Sequence, residues 1–264
     1  MNGRVAAVAT GRRYPRPVTL HLEVADAVAA PMPASGNDDV WVIVRCYNEA
    51  SVVGDVIRGL RTVFPHVVGV DDGSRDSSSE EMAGAGAKVV RHAVNLGAGA
   101  ALQTGLQYAL LDHSASYFLC FDADGQHRVD DAAAMVERMR DEPLDILIGS
   151  RFLGRAENMP SSRRALLKVG RVFERLTSRI DLTDAHNGLR VFSRTFARQV
   201  DLSMSDMAYA SELLGIIARS GLPYAEHPVT IDYTEYSMHK GQRSINSVNI
   251  AMDIWMNQVF RGRR

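Results

Sequence analysis

A strand–helix alternation that begins at Val40 is the strongest constraint on the fold of this chain. Short apolar runs, each typical of a buried strand, recur between segments whose apolar residues follow the helical period. The predicted strands cover residues 40–44, 67–70, 87–91, 117–121 and 145–149, and the helices between them cover 49–64, 76–84, 95–111 and 129–140. Such an alternation predicts an α/β fold, in which helices cover both faces of a mostly parallel sheet.

Polar clusters follow four of these predicted strands. They are Tyr47-Asn48-Glu49, Asp71-Asp72, Asp122-Ala123-Asp124 and Ser150-Arg151. Ligands of parallel α/β sheets bind at the carboxyl ends of the strands, which meet along one edge. We therefore expect the four clusters to form a single site.

The most specific chemistry lies in Asp122-Ala123-Asp124-Gly125-Gln126. In a D-x-D pattern one residue separates the two carboxylates, so both can reach one point only if the backbone turns. Gly125 permits such a turn. Asp122, Asp124 and the Gln126 amide oxygen would then form an all-oxygen cluster suited to Mg²⁺ or Mn²⁺, with room for phosphate oxygens. A solvated acidic turn is the alternative interpretation.

Composition and motifs exclude several other classes. Residues 97–102 fail the G-x-G-x-x-G pattern because Leu102 occupies its last position, and the chain contains no P-loop pattern. A formal net charge of -1 gives no electrostatic case for nucleic acid binding. Cys46 and Cys120 lie in apolar runs, so we expect buried thiols in a reducing cytosol.

The chain divides into three expected regions. Residues 1–38 contain four prolines and are predicted to be an extension, residues 39–240 form the globular domain, and residues 241–264 form an amphipathic helix with a basic tail. After Arg151 the alternation ends. The pattern there predicts a loop at 152–162, strands at 189–192 and 224–233, and helices at 163–179, 209–220 and 245–260.

Two of these predicted helices indicate a membrane surface. One carries a stripe of five cations spaced by three or four residues, namely Arg164, Lys168, Arg171, Arg175 and Arg179. The helix at 245–260 has one apolar side and precedes a basic tail, as in proteins that lie on anionic bilayers. A solvated cationic face and a core or dimer contact are the alternatives. No apolar run reaches the roughly 18 residues of a membrane span, so we expect peripheral attachment at the cytoplasmic face.

Six sequence blocks in a fixed order carry a family resemblance. They cover residues 44–49, 70–76, 95–102, 122–126, 149–151 and 184–190. Over roughly residues 40–240 the chain is similar to family-2 glycosyltransferases of the GT-A fold, and it most resembles the dolichol-phosphate-mannose-synthase-like branch of polyprenyl-phosphate glycosyltransferases. The resemblance implies an inverting, metal-dependent transfer of a sugar from a UDP- or GDP-linked donor.

The resemblance also implies roles for individual residues. The metal ligands would be Asp122, Asp124 and Gln126, and the catalytic residues would be Asp122, Asp124, Arg151, Asp184 and Glu212. The nucleotide-sugar would contact Arg45, Tyr47, Glu49, Asp71, Asp72, Asn95, Gly97, Asp122, Ala123, Asp124 and Arg151. The acceptor or the diphosphate would face Arg190, His239, Lys240 and Arg243.

The chain departs from the family pattern at three places. Arg45 stands where the family usually has Pro, which adds a charge at the strand end. Ala98 stands where some members have Lys in the glycine-rich turn, and residues 238–244 match only part of a late Arg-x-x-Gly-x-Ser segment. For Asp71 and Asp72, helix capping and turn chemistry are an alternative to nucleoside binding.

The expected acceptor is a polyprenyl phosphate, whose oxygen is already a nucleophile and needs no strong base. A saccharide or other soluble acceptor is the first alternative, and Asp184 or Glu212 would then accept its proton. A non-catalytic module that binds nucleotide-sugars is the second alternative. A homo-oligomer is compatible with the sequence.

Overall fold

The computed structural model describes residues 36–157, 180, 182–203 and 208–233. Its strands are β1 (Val40–Cys46), β2 (His66–Asp71), β3 (Lys88–Arg91), β4 (Tyr117–Asp122), β5 (Ile146–Glu157), β6 (Arg190–Ser193) and β7 (Tyr224–Asp232). Its helices are α1 (Val53–Arg61), α2 (Ser78–Gly84), α3 (Ala98–Ala109), α4 (Val129–Asp141), α5 (Arg194–Ala197) and α6 (Ala208–Ser220).

The seven described strands form one sheet in the order β3-β2-β1-β4-β6-β5-β7. β1 is parallel to both β2 and β4, β2 is parallel to β3, and β5 is parallel to β7. Among the described strands, β6 runs antiparallel to its neighbours β4 and β5. The prediction of an α/β fold with a mostly parallel sheet is confirmed.

Each face of the sheet has its own apolar core. On one face, Ile43 and Phe118 pack with Leu106 of α3 and Leu213 of α6. On the other face the buried strand residues pack with α1, α2 and α4, for example through Ile57, Met82 and Met135. Alternate residues of β1 and β4 enter opposite cores, which explains why these strands read as continuous apolar runs in the sequence.

The loop predicted at 152–162 is wrong over its first six residues, because β5 continues to Glu157. β5 pairs with β7 on both sides of a register shift between Ser150 and Arg155. A Cβ atom at position 154 would overlap the Val229 backbone, so this glycine marks a close strand approach rather than a loop.

The first helix also starts later than predicted, because the carbonyl of Glu49 accepts turn hydrogen bonds from the N–H groups of Val52 and Val53.

Several predicted segments lie outside the described residues. They are the first 35 residues of the extension, the cationic helix at 163–179 and the helix at 245–260. Within the described ranges, every helix is too short or too polar to cross a lipid bilayer.

Helix α3 approaches β1 so closely that Gly105→Ala is expected to destabilise the protein by about 1–3 kcal/mol, in spite of the better helix propensity of Ala. A Cβ atom at position 105 would overlap the side chain of Ile43. Urea unfolding measures the change. The matched control is Gly84→Ala in α2, where an added Cβ meets no described heavy atom within 4 Å and stability is expected to rise by about 0.5–1 kcal/mol. Equal effects at the two positions would contradict the packing argument.

Candidate active site

The carboxyl ends of three parallel strands meet at one edge of the sheet, because β1 lies between β2 and β4. The register pairs Cys46 with Asp71 and Arg45 with Asp122. The polar clusters that follow these strands are therefore neighbours. This is the arrangement expected of a ligand site in a parallel sheet.

Asp122 is the last residue of β4, and its carboxylate has two side-chain partners, an arginine and a histidine. Nη2 of Arg45 donates to its Oδ1, and Nε2 of His127 lies 3.2 Å from its Oδ2. Although burial acts to raise the pKa of Asp122, Arg45 and His127 hold that pKa well below its usual range. The backbone of Gly188 also lies against this carboxylate, and a Cβ atom at position 188 would overlap it. Asp122 is therefore ionised and closely packed.

Asp124 follows in a tight turn in which Gly125 has a φ of 72°. The backbone N–H of Gln126 donates to Oδ1 of Asp124 at 3.1 Å, and Nε2 of Gln126 donates to Oδ2 at 2.8 Å. The amide nitrogen of Gln126, rather than its oxygen, therefore faces the carboxylate here. A half-turn of the amide exchanges the two atoms, so the oxygen can occupy the same place.

This turn is attached to the end of β7. The N–H of Asp232 donates to the carbonyl of Gln126 at 2.9 Å, and His127 forms an isolated β-bridge with Ile231. Arg128 donates from Nε and Nη2 to the two carboxylate oxygens of Asp232, at 2.8 Å each. The bidentate pair and the backbone contacts together fix the position of the carboxylate turn relative to β7.

Asp71 and Asp72 are both buried and both engaged in turn contacts. Asp71 accepts from the N–H of Ser74 at 2.8 Å, and Asp72 accepts from the N–H groups of Leu96 and Gly97 at 2.8 Å each. His92 adds a contact of 2.7 Å between its Nδ1 and Oδ1 of Asp72. These hydrogen bonds stabilise turns, which is the role that the sequence analysis gave as the alternative to nucleoside binding. Nucleoside binding by Asp71 and Asp72 stays a prediction.

The other residues expected at the nucleotide lie along the same edge. The side chain of Tyr47 is 39% exposed, whereas Glu49 and Ala123 are buried. Asn95 accepts from the N–H of Gly97 at 3.1 Å, and Gly97 opens α3 with a φ of 94°. Tyr47 and Asn95 are thus the exposed members of this group of expected nucleotide contacts.

Arg151 and Asp184 form a buried ion pair. Nε of Arg151 donates to Oδ2 of Asp184 at 2.6 Å, the backbone N–H of Arg151 donates to the same oxygen at 3.0 Å, and Nη1 donates to the Tyr233 hydroxyl at 2.8 Å. Burial acts to lower the pKa of Arg151, but Asp184 and Tyr233 raise it above its ordinary value. Glu226 holds the loop of Asp184 by accepting from its N–H at 2.9 Å.

Arg190 and Glu212 occupy different surroundings. Arg190 is 2% exposed and donates from Nη2 to the carbonyl of Ala185 at 3.0 Å, while its buried Nε has no hydrogen-bond partner in the described ranges. Glu212 in α6 accepts from the N–H and the hydroxyl of Ser203. The predicted residues His239, Lys240 and Arg243 lie outside the described residues.

The structure adds functional candidates that the sequence analysis missed. Tyr209 of α6 accepts a hydrogen bond from Nη1 of Arg45, and Tyr233 contacts Arg151. His127 and Gly188 both touch Asp122. Gly188 lies in a sequence block that the resemblance includes, so a signal existed for it. Tyr209 and Tyr233 come close only through tertiary contacts, for which the local sequence has no signal.

A divalent cation fits the carboxylate turn. Asp124 forms no salt bridge within the described part of the chain, and burial together with the nearby Asp122 raises its pKa to about 6. A cation beside Asp124 would offset both causes of that shift, because a nearby positive charge favours the ionised carboxylate. No three His, Cys, Asp or Glu side chains of the described ranges come together as a metal-binding group. The remaining ligands would therefore be Gln126, phosphate oxygens and water.

Comparison with known structures identifies the fold. Glucosyl-3-phosphoglycerate synthase from Mycobacterium tuberculosis, solved with Mn²⁺, UDP-glucose and glycerol 3-phosphate, superposes with a TM-score of 0.54 at 15% sequence identity over 82% of each chain. At this identity the likeness shows the fold alone, which is that of the GT-A glycosyltransferases. The predicted fold is thereby confirmed.

The chain belongs to glycosyl transferase family 2, whose model matches residues 41–201. An uncharacterised protein of Methanocaldococcus jannaschii is 34% identical, over 84% of this chain and 93% of its own. The UDP-N-acetylglucosamine–dolichyl-phosphate N-acetylglucosaminyltransferase of Methanococcus voltae is 30% identical, over 76% and 89%. The undecaprenyl-phosphate mannosyltransferase of Micrococcus luteus is 27% identical, over 72% and 82%. The predicted enzyme class and the resemblance to the polyprenyl-phosphate branch are confirmed.

The pKa of Asp124 leads to a prediction about stability. Because the folded protein binds this proton more tightly than the unfolded chain does, the resulting stability is present below about pH 4 and is lost as the pH rises through about 6. In the metal-free protein, Asp124→Asn is expected to match the wild type near pH 4 and to be more stable by up to about 3 kcal/mol at pH 7. Urea unfolding in a chelating buffer from pH 4 to 8 measures this difference.

The matched control for that experiment is Asp130→Asn, because Asp130 is exposed at the start of α4. Its effect on the free energy of unfolding is expected to change little over the same pH range. A difference between Asp124→Asn and the wild type that stays constant with pH would contradict the assigned burial of Asp124.

Proposed function

We propose that this protein is an inverting, metal-dependent hexosyltransferase that moves a sugar from a UDP- or GDP-linked donor to a polyprenyl phosphate. The observation that carries the proposal is the Asp122–Asp124 pair at the end of β4. One of these carboxylates is paired with Arg45, and the other is partly buried and forms no salt bridge in the described ranges. A partly buried carboxylate in that state is a ready ligand for a cation that accompanies a diphosphate.

Donor binding would use the strand ends of β1, β2 and β4. Asp122, Asp124 and Gln126 would hold Mg²⁺ or Mn²⁺, which when bound neutralises the charge that develops on the departing diphosphate. Tyr47 and Glu49, with Asp71 and Asp72 behind them, would contact the nucleoside. The Mn²⁺ and UDP-glucose named for the mycobacterial structure support this assignment, because that protein shares the fold.

The proposed reaction exchanges one bond for another at the anomeric carbon. The bond from that carbon to the diphosphate oxygen breaks, and its electron pair leaves with the nucleoside diphosphate. An oxygen of the acceptor phosphate forms the new bond from the opposite face of the sugar, so the anomeric configuration inverts. The protein has to align donor and acceptor for this displacement.

Both carboxylates that could act as a base already have hydrogen-bonding partners, which supports a phosphate acceptor. Asp184 is paired with Arg151, and Glu212 accepts two hydrogen bonds from Ser203. A sugar hydroxyl would require one of these carboxylates to take its proton, whereas a phosphate oxygen attacks without that step. The lipid phosphates named for the relatives in Methanococcus voltae and Micrococcus luteus point in the same direction.

The acceptor phosphate would be bound by cations on the β5–β6 side of the site. Arg151 is held in place by Asp184 and Tyr233, and Arg190 is buried nearby in the same sheet. His239, Lys240 and Arg243 would complete this surface. A polyprenyl acceptor would bring the protein to the cytoplasmic face of a membrane as a peripheral protein, where the cationic stripe predicted at 163–179 would face anionic lipids.

Asp124→Asn is expected to lower the rate of sugar transfer at least 100-fold, because it removes the carboxylate that forms no salt bridge in the described part of the chain. The assay incubates purified protein with Mn²⁺, a polyprenyl phosphate and a panel of radiolabelled UDP- and GDP-sugars, and it measures label in the lipid fraction. Asp130→Asn is the matched control and is expected to retain full activity.

A wild-type protein that transfers from none of these donors to lipid, but does transfer to a saccharide, would contradict the acceptor assignment. A wild-type protein that binds nucleotide-sugars without any transfer would favour a binding module instead. Full activity of Asp124→Asn would contradict the metal-dependent mechanism.

Asp184→Asn separates an orienting role of Asp184 from that of a base. If Asp184 holds Arg151, the substitution weakens a charge-assisted contact, so KM for the polyprenyl phosphate is expected to rise about tenfold with a smaller change in kcat. Steady-state kinetics measure both constants, with Tyr233→Phe as a milder loss of the same contact. A kcat loss of 100-fold or more at unchanged KM would show instead that Asp184 is a base.

A further inference from the structure

Arg45 is a buried cation at the centre of the strand-end cluster. Its side chain is 10% exposed, and its guanidinium donates to Oδ1 of Asp122 and to the hydroxyl of Tyr209. The guanidinium carbon lies 5.3 Å from the centroid of the Tyr209 ring, and Nε has no hydrogen-bond partner within the described residues. These contacts fix the charge of Arg45 between the end of β4 and helix α6.

The charge of Arg45 acts on a carboxylate that the proposed function assigns to the cation. Arg45 contacts one oxygen of Asp122 directly, and His127 lies against the other oxygen. Asp124 forms no salt bridge in the described ranges. Arg45 is therefore already the positive partner of Asp122. A divalent ion would find only the Asp124 carboxylate without a neutralising charge, instead of both carboxylates.

We infer that Arg45 is a positioning residue that serves as an internal counter-ion of Asp122 and keeps the affinity of the nucleotide-free site for a divalent cation low. This inference rests on the proposed function. The consequence for binding is that the cation enters together with a nucleoside diphosphate. The negative charge of the diphosphate then attracts the cation in place of the Asp122 charge that Arg45 neutralises. A purely structural Arg45, which only ties α6 to the sheet, would have no such effect on cation affinity.

The size of the effect follows from Coulomb's law. The separation between a divalent cation and the guanidinium is taken as roughly 6 Å. Even at the dielectric constant of water, the repulsion between a single and a double charge at that distance corresponds to about a tenfold change in affinity. Arg45→Gln removes the charge and keeps an amide donor for Asp122, so the orientation of that carboxylate is largely retained.

The test is a Mn²⁺ titration followed by electron paramagnetic resonance, on the purified full chain, without nucleotide, with UDP and with GDP. Without nucleotide, Arg45→Gln is expected to bind Mn²⁺ about tenfold more tightly than the wild type, and Arg45→Lys, which keeps the charge, is expected to stay within about twofold. Arg91→Gln is the matched control, because Arg91 is also at a strand end but two strands away, about 10 Å from β1. It is expected to change the affinity less than about twofold.

The outcomes separate this inference from the proposed function. Unchanged or weaker Mn²⁺ binding by Arg45→Gln, with the wild type still binding Mn²⁺ in the presence of UDP or GDP, overturns the inference alone. A wild type that binds no Mn²⁺ with either UDP or GDP overturns the proposed function together with it. Circular dichroism verifies folding of each variant, and Arg45→Met, which keeps the buried aliphatic stem, is the second neutral replacement if Arg45→Gln does not fold.

Discussion

The contact between Arg45 and Asp122 is the interaction on which the geometry of the active-site edge depends. Two carboxylates in one partly buried turn repel each other and lose part of their hydration, and both effects favour their neutral forms. The parallel register of β1 and β4 places a guanidinium opposite the first carboxylate, which stays ionised. Burial and the nearby charge of Asp122 raise the pKa of the second carboxylate, and this unequal division suits the proposed binding of a cation.

Much of this edge could be predicted from the sequence, for reasons that are local. The apolar runs at β1, β2 and β4 identify strands that are buried on both faces, and strands of that kind lie in parallel sheets with their carboxyl ends together. The turn after Asp122 was predictable because Gly125 adopts a φ that other residues rarely adopt. Local periodicity and turn chemistry were therefore sufficient for the sheet and for the Asp122–Asp124 pair.

The parts that could not be predicted depend on contacts between distant segments. Tyr209 reaches Arg45 across 164 positions of sequence, and no local pattern connects the two residues. The continuation of β5 was missed because Gly154 is typical of a loop, although here it allows β7 to come close. The hydrogen bonds of Asp72 to the turn that opens α3 were left as an alternative, since a carboxylate after a strand has the same sequence signature in a scaffold and in a binding site.

The end of β7 has a further consequence for the spacing of charges across the cleft. Asp232 holds the turn that carries Asp124, and the next residue, Tyr233, holds the side chain of Arg151. Two adjacent residues at one strand terminus therefore hold both the turn of Asp124 and the side chain of Arg151. The distance between these opposite charges depends on that terminus and not on several independent loops. Substitutions in loops that do not contact this terminus would then leave the spacing of the two opposite charges unchanged.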